Sequence, residues 1–169
     1  PINHYGNVKL CIENTIRTFN YQAHTKILIA RISNPYGPGQ DFNKGVGFID
    51  AAIKKTIRSE KIEIWGDGNN VRDYIYIDDV CRMLISLFYY QEDYDTFNIS
   101  SNTGTSQRDV IRMLEAMQLA PQVEYLPARS VDAKKIILNN ERIMSIHAVP
   151  LVPVEQGIRK YYQWLKKEI

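Results

Sequence analysis

Two residues at the start of the chain could carry acid–base chemistry. Tyr5 and Lys9 are four residues apart in a helix-like segment, so both side chains lie on one helix face, about 5–6 Å apart at Cβ. A tyrosine hydroxyl has an ordinary pKa of ~10, and a neighbouring ammonium group favours its phenolate form. The pair therefore predicts a general acid/base for the interconversion of an alcohol and a ketone. The alternative is a surface pair without chemistry, because this spacing recurs in many helices.

The segments around this pair predict the start of an α/β fold. Apolar residues recur at spacings of three and four over residues 5–23, which predicts an amphipathic helix. Residues 26–33 are rich in β-branched and apolar side chains, which predicts a strand buried on both faces, as in a parallel sheet. Residues 34–39 contain two prolines and two glycines and predict a loop.

The rest of the chain alternates between helices and strands, which favours the α/β class. The predicted strands cover residues 62–65, 73–77, 95–99 and 122–126, and the predicted helices cover 48–57, 78–90, a segment from Ser106, and 155–167. Ser106 and Asp109 have a capping-box-like spacing at the head of their helix. Asp78 and Asp79 are interpreted as helix-capping residues rather than a metal-binding pair.

Composition excludes several classes of partner. Hydrophobic residues make up 44% and the net charge is +2, so neither nucleic acid nor an anionic membrane is expected as a partner. No apolar run approaches the ~20 residues of a membrane helix. Cys11 and Cys81 lie in apolar segments and are expected to be buried free thiols, which favours a cytoplasmic location.

A series of motifs in one order carries a family resemblance that covers essentially the whole chain. The motifs are a tyrosine–lysine helix (5–13), an Arg-x-x-Asn-x-Tyr-Gly-Pro-like segment (31–39), a Gly-x-Gly…Arg-Asp…Asp-Val segment (66–80), a strand–turn–helix (97–106), an Arg-x-x-Asp loop (129–132) and a terminal helix (154–164). Through them the chain resembles the NAD-dependent epimerase/dehydratase family of the extended short-chain dehydrogenase/reductases.

The resemblance implies the C-terminal part of a Rossmann-type enzyme with its smaller mixed α/β substrate-binding domain. Residues 1–40 would be remaining Rossmann elements, and residues 41–169 would mainly bind a UDP- or dTDP-sugar. It also implies NAD as cofactor, hydride transfer at a sugar carbon, and Tyr5 and Lys9 as catalytic residues that also contact the cofactor. Family members dimerise through the tyrosine-bearing helix, so a homodimer is expected of the complete protein.

The resemblance also assigns roles to phosphate- and base-contacting residues. Arg72 and Arg129 would bind the diphosphate, since a guanidinium fork matches phosphate oxygens. Asp132 would accept from a ribose or sugar hydroxyl. The alternative for Arg72 is a surface ion pair with Asp73 or Asp67, and the alternative for Arg129 and Asp132 is an exposed loop pair.

Three more residues receive roles from the same comparison. Asn34 would bond phosphate or sugar, or it would only stabilise the turn before Pro35. Trp65 would stack on the nucleobase or belong to the core, with neither interpretation favoured. Ile32 would offer backbone polar groups to the nicotinamide amide.

Two departures from the family pattern limit what the chain can do alone. Val8 stands where the family usually has Ser or Thr before the lysine. The glycine-rich phosphate loop that should open the first βαβ unit is absent, and the Ser/Thr partner of the tyrosine also belongs upstream. We therefore expect a fragment that holds NAD weakly or not at all. The alternative function is a nucleotide-diphosphate-binding or interaction module without redox chemistry.

Overall fold

The computed structural model of the protein describes residues 1, 3–40, 47–128 and 133–168. In chain order the elements are α1 (His4–Ala23), β1 (Ile29–Ile32), β2 (Asn34–Tyr36), α2 (Phe48–Ile57), β3 (Lys61–Trp65), β4 (Val71–Tyr76), α3 (Ile77–Phe88), β5 (Thr96–Ile99), β6 (Gly104–Ser106), α4 (Gln107–Ala116), β7 (Gln122–Leu126), β8 (Lys135–Ile136), α5 (Glu141–Met144) and α6 (Val154–Glu168).

The strands form short ladders that are mostly parallel. β1 pairs with β5, β2 pairs with β4, and β3 pairs with β7, in each case in parallel. β4 also pairs with β6 in antiparallel register and with β8 in parallel register, so β4 lies at the centre of its sheet. Because β1 pairs with β5, the sheet that follows α1 combines residues from both sides of position 40. The domain division at that position stays a prediction.

Two hydrophobic clusters hold these layers together. The larger cluster joins α2, α4 and α6 to β3, with Ile53, Ile64, Leu114 and Ile158 fully buried. The smaller cluster packs α3 and α5 against β5 and includes Met83, Phe97, Ile99 and Ile143. The two clusters lie on either side of the β2–β4 ladder, since Tyr74 and Tyr76 belong to the first and Ile75 to the second.

The first helix is attached by charge rather than by apolar burial. The Asn3 side chain caps its start by accepting from the Gly6 amide at 2.9 Å, and none of its residues is buried. Glu13 binds Arg31 of β1 through two hydrogen bonds of 2.8 and 2.6 Å. The Arg31 guanidinium lowers the pKa of Glu13 below its ordinary value, with a further contribution from Arg17.

A glycine permits the closest approach between α6 and the sheet. Gly157 lies in the helix against Tyr36 and Tyr76, and an added Cβ would overlap the Tyr36 hydroxyl oxygen and lie 2.9 Å from Tyr36 Cζ. That hydroxyl donates to the Val154 carbonyl at 3.1 Å, one turn earlier in the helix. The contact therefore fixes both α6 and the position of β2.

We expect Gly157→Ala to destabilise the protein although alanine is the better helix former. Helix propensity alone would favour alanine by about 1 kcal/mol, but overpacking costs about 1–3 kcal/mol and displaces Tyr36. Urea unfolding of both proteins measures the net effect. Gln156→Ala, at an exposed position of the same helix, is the matched control and should be close to neutral. A more stable Gly157→Ala variant would contradict the overlap.

Two expectations for the first strands are wrong. β1 is not buried on both faces, because Arg31 and Ile32 are exposed and β1 has only β5 as a partner within the described residues. Residues 34–36 form the short strand β2 rather than a loop, and only the segment after Tyr36 turns. Within the described residues β2 pairs only with β4, so it is an edge strand. An edge strand tolerates proline, which has no N–H to donate to a second neighbour.

The expectations for Asp78, Asp79 and the cysteines also need correction. Tyr76 is the N-cap position of α3 and makes no side-chain capping bond, so both aspartates lie in the first turn instead. Asp79 is fully buried and accepts from Arg82 and from the Val152 amide, which ties α3 to a distant loop. Cys11 and Cys81 are free as expected, but both are exposed, because no described part of the chain packs over those helix faces.

The longer helices and strands were predicted close to their observed bounds, and the Ser106–Asp109 capping box is confirmed. The sequence interpretation missed β6, β8 and α5, which have three, two and four residues. Such short segments carry no measurable periodicity.

Candidate nucleotide-sugar site

A cleft of about 240 Å³ lies where β2, β3 and β4 meet the starts of α2 and α4. Three of the predicted substrate-binding residues, Asn34, Trp65 and Arg72, line this one cleft. They come from three different strands, so the fold brings together residues that are up to 38 positions apart in the sequence. The remaining lining residues are Pro35, Tyr36, Gln40, Gly47, Phe48, Ile49, Asp50, Asn70, Tyr74 and Gln107.

Arg72 enters the cleft from β4 and is held by backbone rather than by acid groups. One guanidinium nitrogen, Nη1, donates to the carbonyls of Val71 at 2.9 Å and Ala133 at 2.7 Å. Among the residues that the structure describes, Arg72 forms no ion pair. The predicted alternative partners are engaged elsewhere, because Asp67 accepts from Asn69 and Asp73 accepts from other groups. The positive charge therefore has no described counter-ion and suits an anionic ligand.

Asn34 is attached to the same strand. Its Nδ2 donates to the Asp73 carbonyl at 2.8 Å, and its register partner on β4 is Tyr74. This bond fixes the amide at the cleft wall, and the ligand-binding role of Asn34 stays a prediction. The bond uses one N–H of the amide, so the amide oxygen and the second N–H are left for another partner.

The Asp73 side chain is the main polar anchor behind this wall. It is fully buried, and Oδ1 accepts from the Ser101 amide at 2.9 Å, from the Ser101 hydroxyl at 2.8 Å and from the Ser33 hydroxyl at 3.3 Å. Oδ2 accepts from the amides of Asn102 at 3.1 Å and Leu138 at 3.2 Å. One carboxylate therefore ties β4 to the end of β1, to the 101–102 turn and to the segment after β8.

Aromatic side chains form another part of the wall. Trp65 is half-buried at the end of β3, so it combines contact with its neighbours and exposure to the cleft. Burial raises the pKa of the Tyr74 phenol to about 12, and burial also raises the pKa of Tyr36. Both cleft tyrosines therefore remain neutral hydrogen-bonding groups at ordinary pH and do not act as bases.

A buried polar cluster supports the start of α2 beneath the cleft. Asp50 is fully buried, accepts from the Tyr161 hydroxyl of α6, and pairs with Lys54 at 2.9 Å. Burial and the hydrogen bond to Asp50 raise the pKa of Tyr161. A satisfied network of this kind fixes the position of α2, and Phe48 and Ile49 in its first turn line the cleft.

Tyr5 and Lys9 lie on one side of α1, as the spacing predicts. Lys9 Nζ lies 5.4 Å from the centroid of the Tyr5 ring, and the tyrosine is 71% exposed. Neither residue lines the cleft that contains Arg72. Ile32 lies at the end of β1 with 42% of its surface exposed. The catalytic and cofactor-binding roles of these residues stay predictions.

Two predicted site residues are not described, and two cleft residues were not predicted. Arg129 and Asp132 lie outside the described residues. Gln107 and Asn70 line the cleft and were missed, although a polar residue directly after the predicted Ser106 cap was a usable signal. Within the described ranges, no group of three or more His, Cys, Asp or Glu side chains could hold a metal ion. No helix there is long and apolar enough to cross a membrane.

The fold and the cleft together define an α/β unit that can receive an anionic ligand with a planar ring. Arg72 supplies the charge, Asn34 supplies an amide group, and Trp65 supplies an aromatic face. The site lies at the start of β2, near the start of β4 and at the end of β3.

Comparison with known proteins identifies the family. The profile of the NAD dependent epimerase/dehydratase family matches residues 1–100, and the chain belongs to that family. It is 30% identical over 173 residues to a dTDP-L-rhamnose 4-epimerase of Burkholderia thailandensis, an alignment that covers 100% of this chain and 48% of that protein.

Solved structures agree with this assignment. The chain superposes on the UDP-glucose 4-epimerase of Thermotoga maritima, solved with UDP-glucose, with a TM-score of 0.88 and 28% identity over 97% of this chain and 53% of that one. It superposes on MoeE5, solved with UDP-glucuronic acid and NAD, with a TM-score of 0.89 and 26% identity over 100% of this chain and 57% of that one. The α/β fold of an extended short-chain dehydrogenase/reductase is thus confirmed, and the chain spans about half the length of these relatives.

Proposed function

We propose that this chain is the substrate-binding and catalytic-helix portion of an NAD-dependent nucleotide-sugar epimerase or dehydratase. The observation that carries the proposal is the convergence of Asn34, Trp65 and Arg72 on one cleft, with an arginine that has no ion pair within the described part of the chain. A UDP- or dTDP-sugar has the matching chemistry, a diphosphate and a planar base. The relatives named above act on, or were solved with, ligands of this class.

In the proposed reaction, the phenolate of Tyr5 takes the proton of a sugar hydroxyl, and the resulting phenol returns it in the reverse step. Lys9 Nζ lies 5.4 Å from the centroid of the Tyr5 ring, and its ammonium can donate to hydroxyls of the cofactor ribose. When bound, NAD supplies a hydride acceptor for the sugar carbon. The Ile32 backbone would face the nicotinamide amide, while Arg72, with Arg129 and Asp132, would hold the diphosphate and ribose.

Both halves of the Tyr5–Lys9 pair are exposed on the same side of α1, which is compatible with a cofactor lying beside them. The glycine-rich loop that grips the diphosphate of NAD is absent from these 169 residues. We therefore propose that the complete protein binds NAD through a further segment, and that the chain alone does not. In the complete protein, we expect a homodimer that uses α1 and a cytoplasmic location, which the two free thiols suit.

A second candidate function is nucleotide-diphosphate binding without redox chemistry. The missing glycine-rich loop favours this second function for the isolated chain. The described residues form the cleft around Arg72, whereas the loop that would hold the NAD diphosphate is absent from these 169 residues. The two candidates share the diphosphate-binding cleft and differ only in whether a bound sugar is oxidised.

Calorimetric titration of the chain with UDP tests the shared part of the proposal. We expect weak UDP binding, no heat from NAD, and about ten- to hundredfold weaker UDP binding in Arg72→Ala, because a charge-assisted hydrogen bond contributes about 1.5–3 kcal/mol. Arg159→Ala, which removes an exposed arginine of α6, is the control and should bind UDP like the unmodified chain. Equal UDP affinities of the Arg72→Ala variant and the unmodified chain would refute the role of Arg72.

A further inference from the structure

Gln107 carries a buried polar atom without a partner in the same cleft. Its Oε1 is inaccessible to solvent and accepts no hydrogen bond from the described residues. The residue follows the Ser106 cap at the first position of α4, and it lines the cleft together with Trp65 and Arg72. Buried polar atoms in proteins are nearly always satisfied, so an orphaned acceptor that lines a ligand cleft indicates a donor supplied by the ligand.

The identity of the orphaned atom restricts which part of the ligand it can meet. Oε1 is an acceptor and would repel phosphate oxygens, whereas the Arg72 guanidinium can donate hydrogen bonds to them. The nucleobase is the part of a nucleotide sugar that combines an aromatic face for Trp65 with a ring N–H. Uracil and thymine both present N3–H between two carbonyl groups, and Nε2 of the same glutamine amide can donate to one of those carbonyls.

We propose that Gln107 is a specificity-determining residue that reads the N3–H imide edge shared by uracil and thymine. The proposal rests on the function proposed above and extends it from a diphosphate site to a choice of base. Cytosine has a lone pair at N3 and would face Oε1 with a second acceptor. The chain should therefore accept UDP and dTDP alike and discriminate against CDP.

N3-methyl-UDP is the sharpest probe, because it keeps the diphosphate, the ribose and the ring face of UDP and replaces the N3–H donor with a methyl group. We expect the unmodified chain to bind N3-methyl-UDP and CDP about five- to tenfold more weakly than UDP, as measured by calorimetry. In Gln107→Leu, the affinity for UDP should fall by the same factor while the affinity for N3-methyl-UDP stays unchanged. The ratio of the two affinities therefore falls to about one. Leucine is a good helix former, so α4 should persist.

The controls separate the possible outcomes. Gln163→Leu makes the same change at an exposed position of α6 and should keep the preference for UDP. Equal binding of UDP and N3-methyl-UDP by the unmodified chain would overturn this inference and leave the proposed function standing. A preference that persists in Gln107→Leu would assign base reading to another group and also overturn it. If neither nucleotide binds, the proposed function itself fails, and the inference fails with it.

Discussion

Replacing Asp73 by alanine should remove roughly 3–5 kcal/mol from the free energy of unfolding. The carboxylate is fully buried and accepts from three backbone amides, those of Ser101, Asn102 and Leu138. Each buried amide that loses its partner costs about 1–3 kcal/mol, and local rearrangement recovers part of this. Since domains of this size are stable by about 5–15 kcal/mol, the variant would lose a large share of its stability.

Urea unfolding followed by circular dichroism measures this loss. Asp93→Ala is the matched control, because Asp93 is an exposed carboxylate in the segment before β5 and should change stability by less than about 0.5 kcal/mol. Asp73→Asn should fall between the two, since its amide keeps one acceptor but turns a donor towards two backbone amides. A loss below about 1 kcal/mol in Asp73→Ala would mean that the anchor is replaceable.

The same substitution, Asp73→Ala, should also disturb the geometry of the cleft. The Asp73 carbonyl holds Asn34, and the side chain holds Leu138 in the segment that begins with Ala133, the carbonyl partner of Arg72. The carboxylate thus helps to position the segment that provides the Ala133 carbonyl to Arg72, whereas the backbone bond to Asn34 is kept in the variant. The stability of the fold and the geometry of the site therefore depend on the same hydrogen bonds.

Sequence patterns predicted the features that depend on local interactions. The capping box at Ser106 and Asp109 closes within four residues, and the helical periodicity of α1 and α6 repeats within each turn, so the chain itself contains the signal. Motif order also predicted that Asn34, Trp65 and Arg72 belong to one site, and the structure brings them to one cleft.

Features that depend on distant neighbours were not predictable in this way. The burial of β1 was overestimated because periodicity cannot tell how many strands flank it. The partners of Asp73 are 28 and 65 positions away for Ser101 and Leu138, so no local pattern could assign them. An acidic residue within a strand that continues with large hydrophobic side chains was nevertheless a signal of a buried anchor.

Replacing Tyr5 by phenylalanine in the complete protein should lower kcat by about 10²–10⁴-fold, the range typical of a positioned general acid/base. The KM for the nucleotide sugar should change little, because Tyr5 does not line the cleft around Arg72 that is proposed to hold the diphosphate. Stability should also be preserved, since Tyr5 is 71% exposed and the phenyl ring can still lie beneath the Lys9 ammonium. The variant therefore separates chemistry from binding.

The first helix contains its own control for this experiment. Tyr21 is 84% exposed near the opposite end of α1, so Tyr21→Phe removes the same hydroxyl from the same kind of surface without touching the pair with Lys9. Steady-state kinetics of both variants, with retention of bound NAD measured by absorbance, distinguishes loss of the proton-transfer group from loss of the cofactor. Full turnover in Tyr5→Phe would remove this residue from the mechanism and would leave the nucleotide-binding cleft as the functional part of the chain.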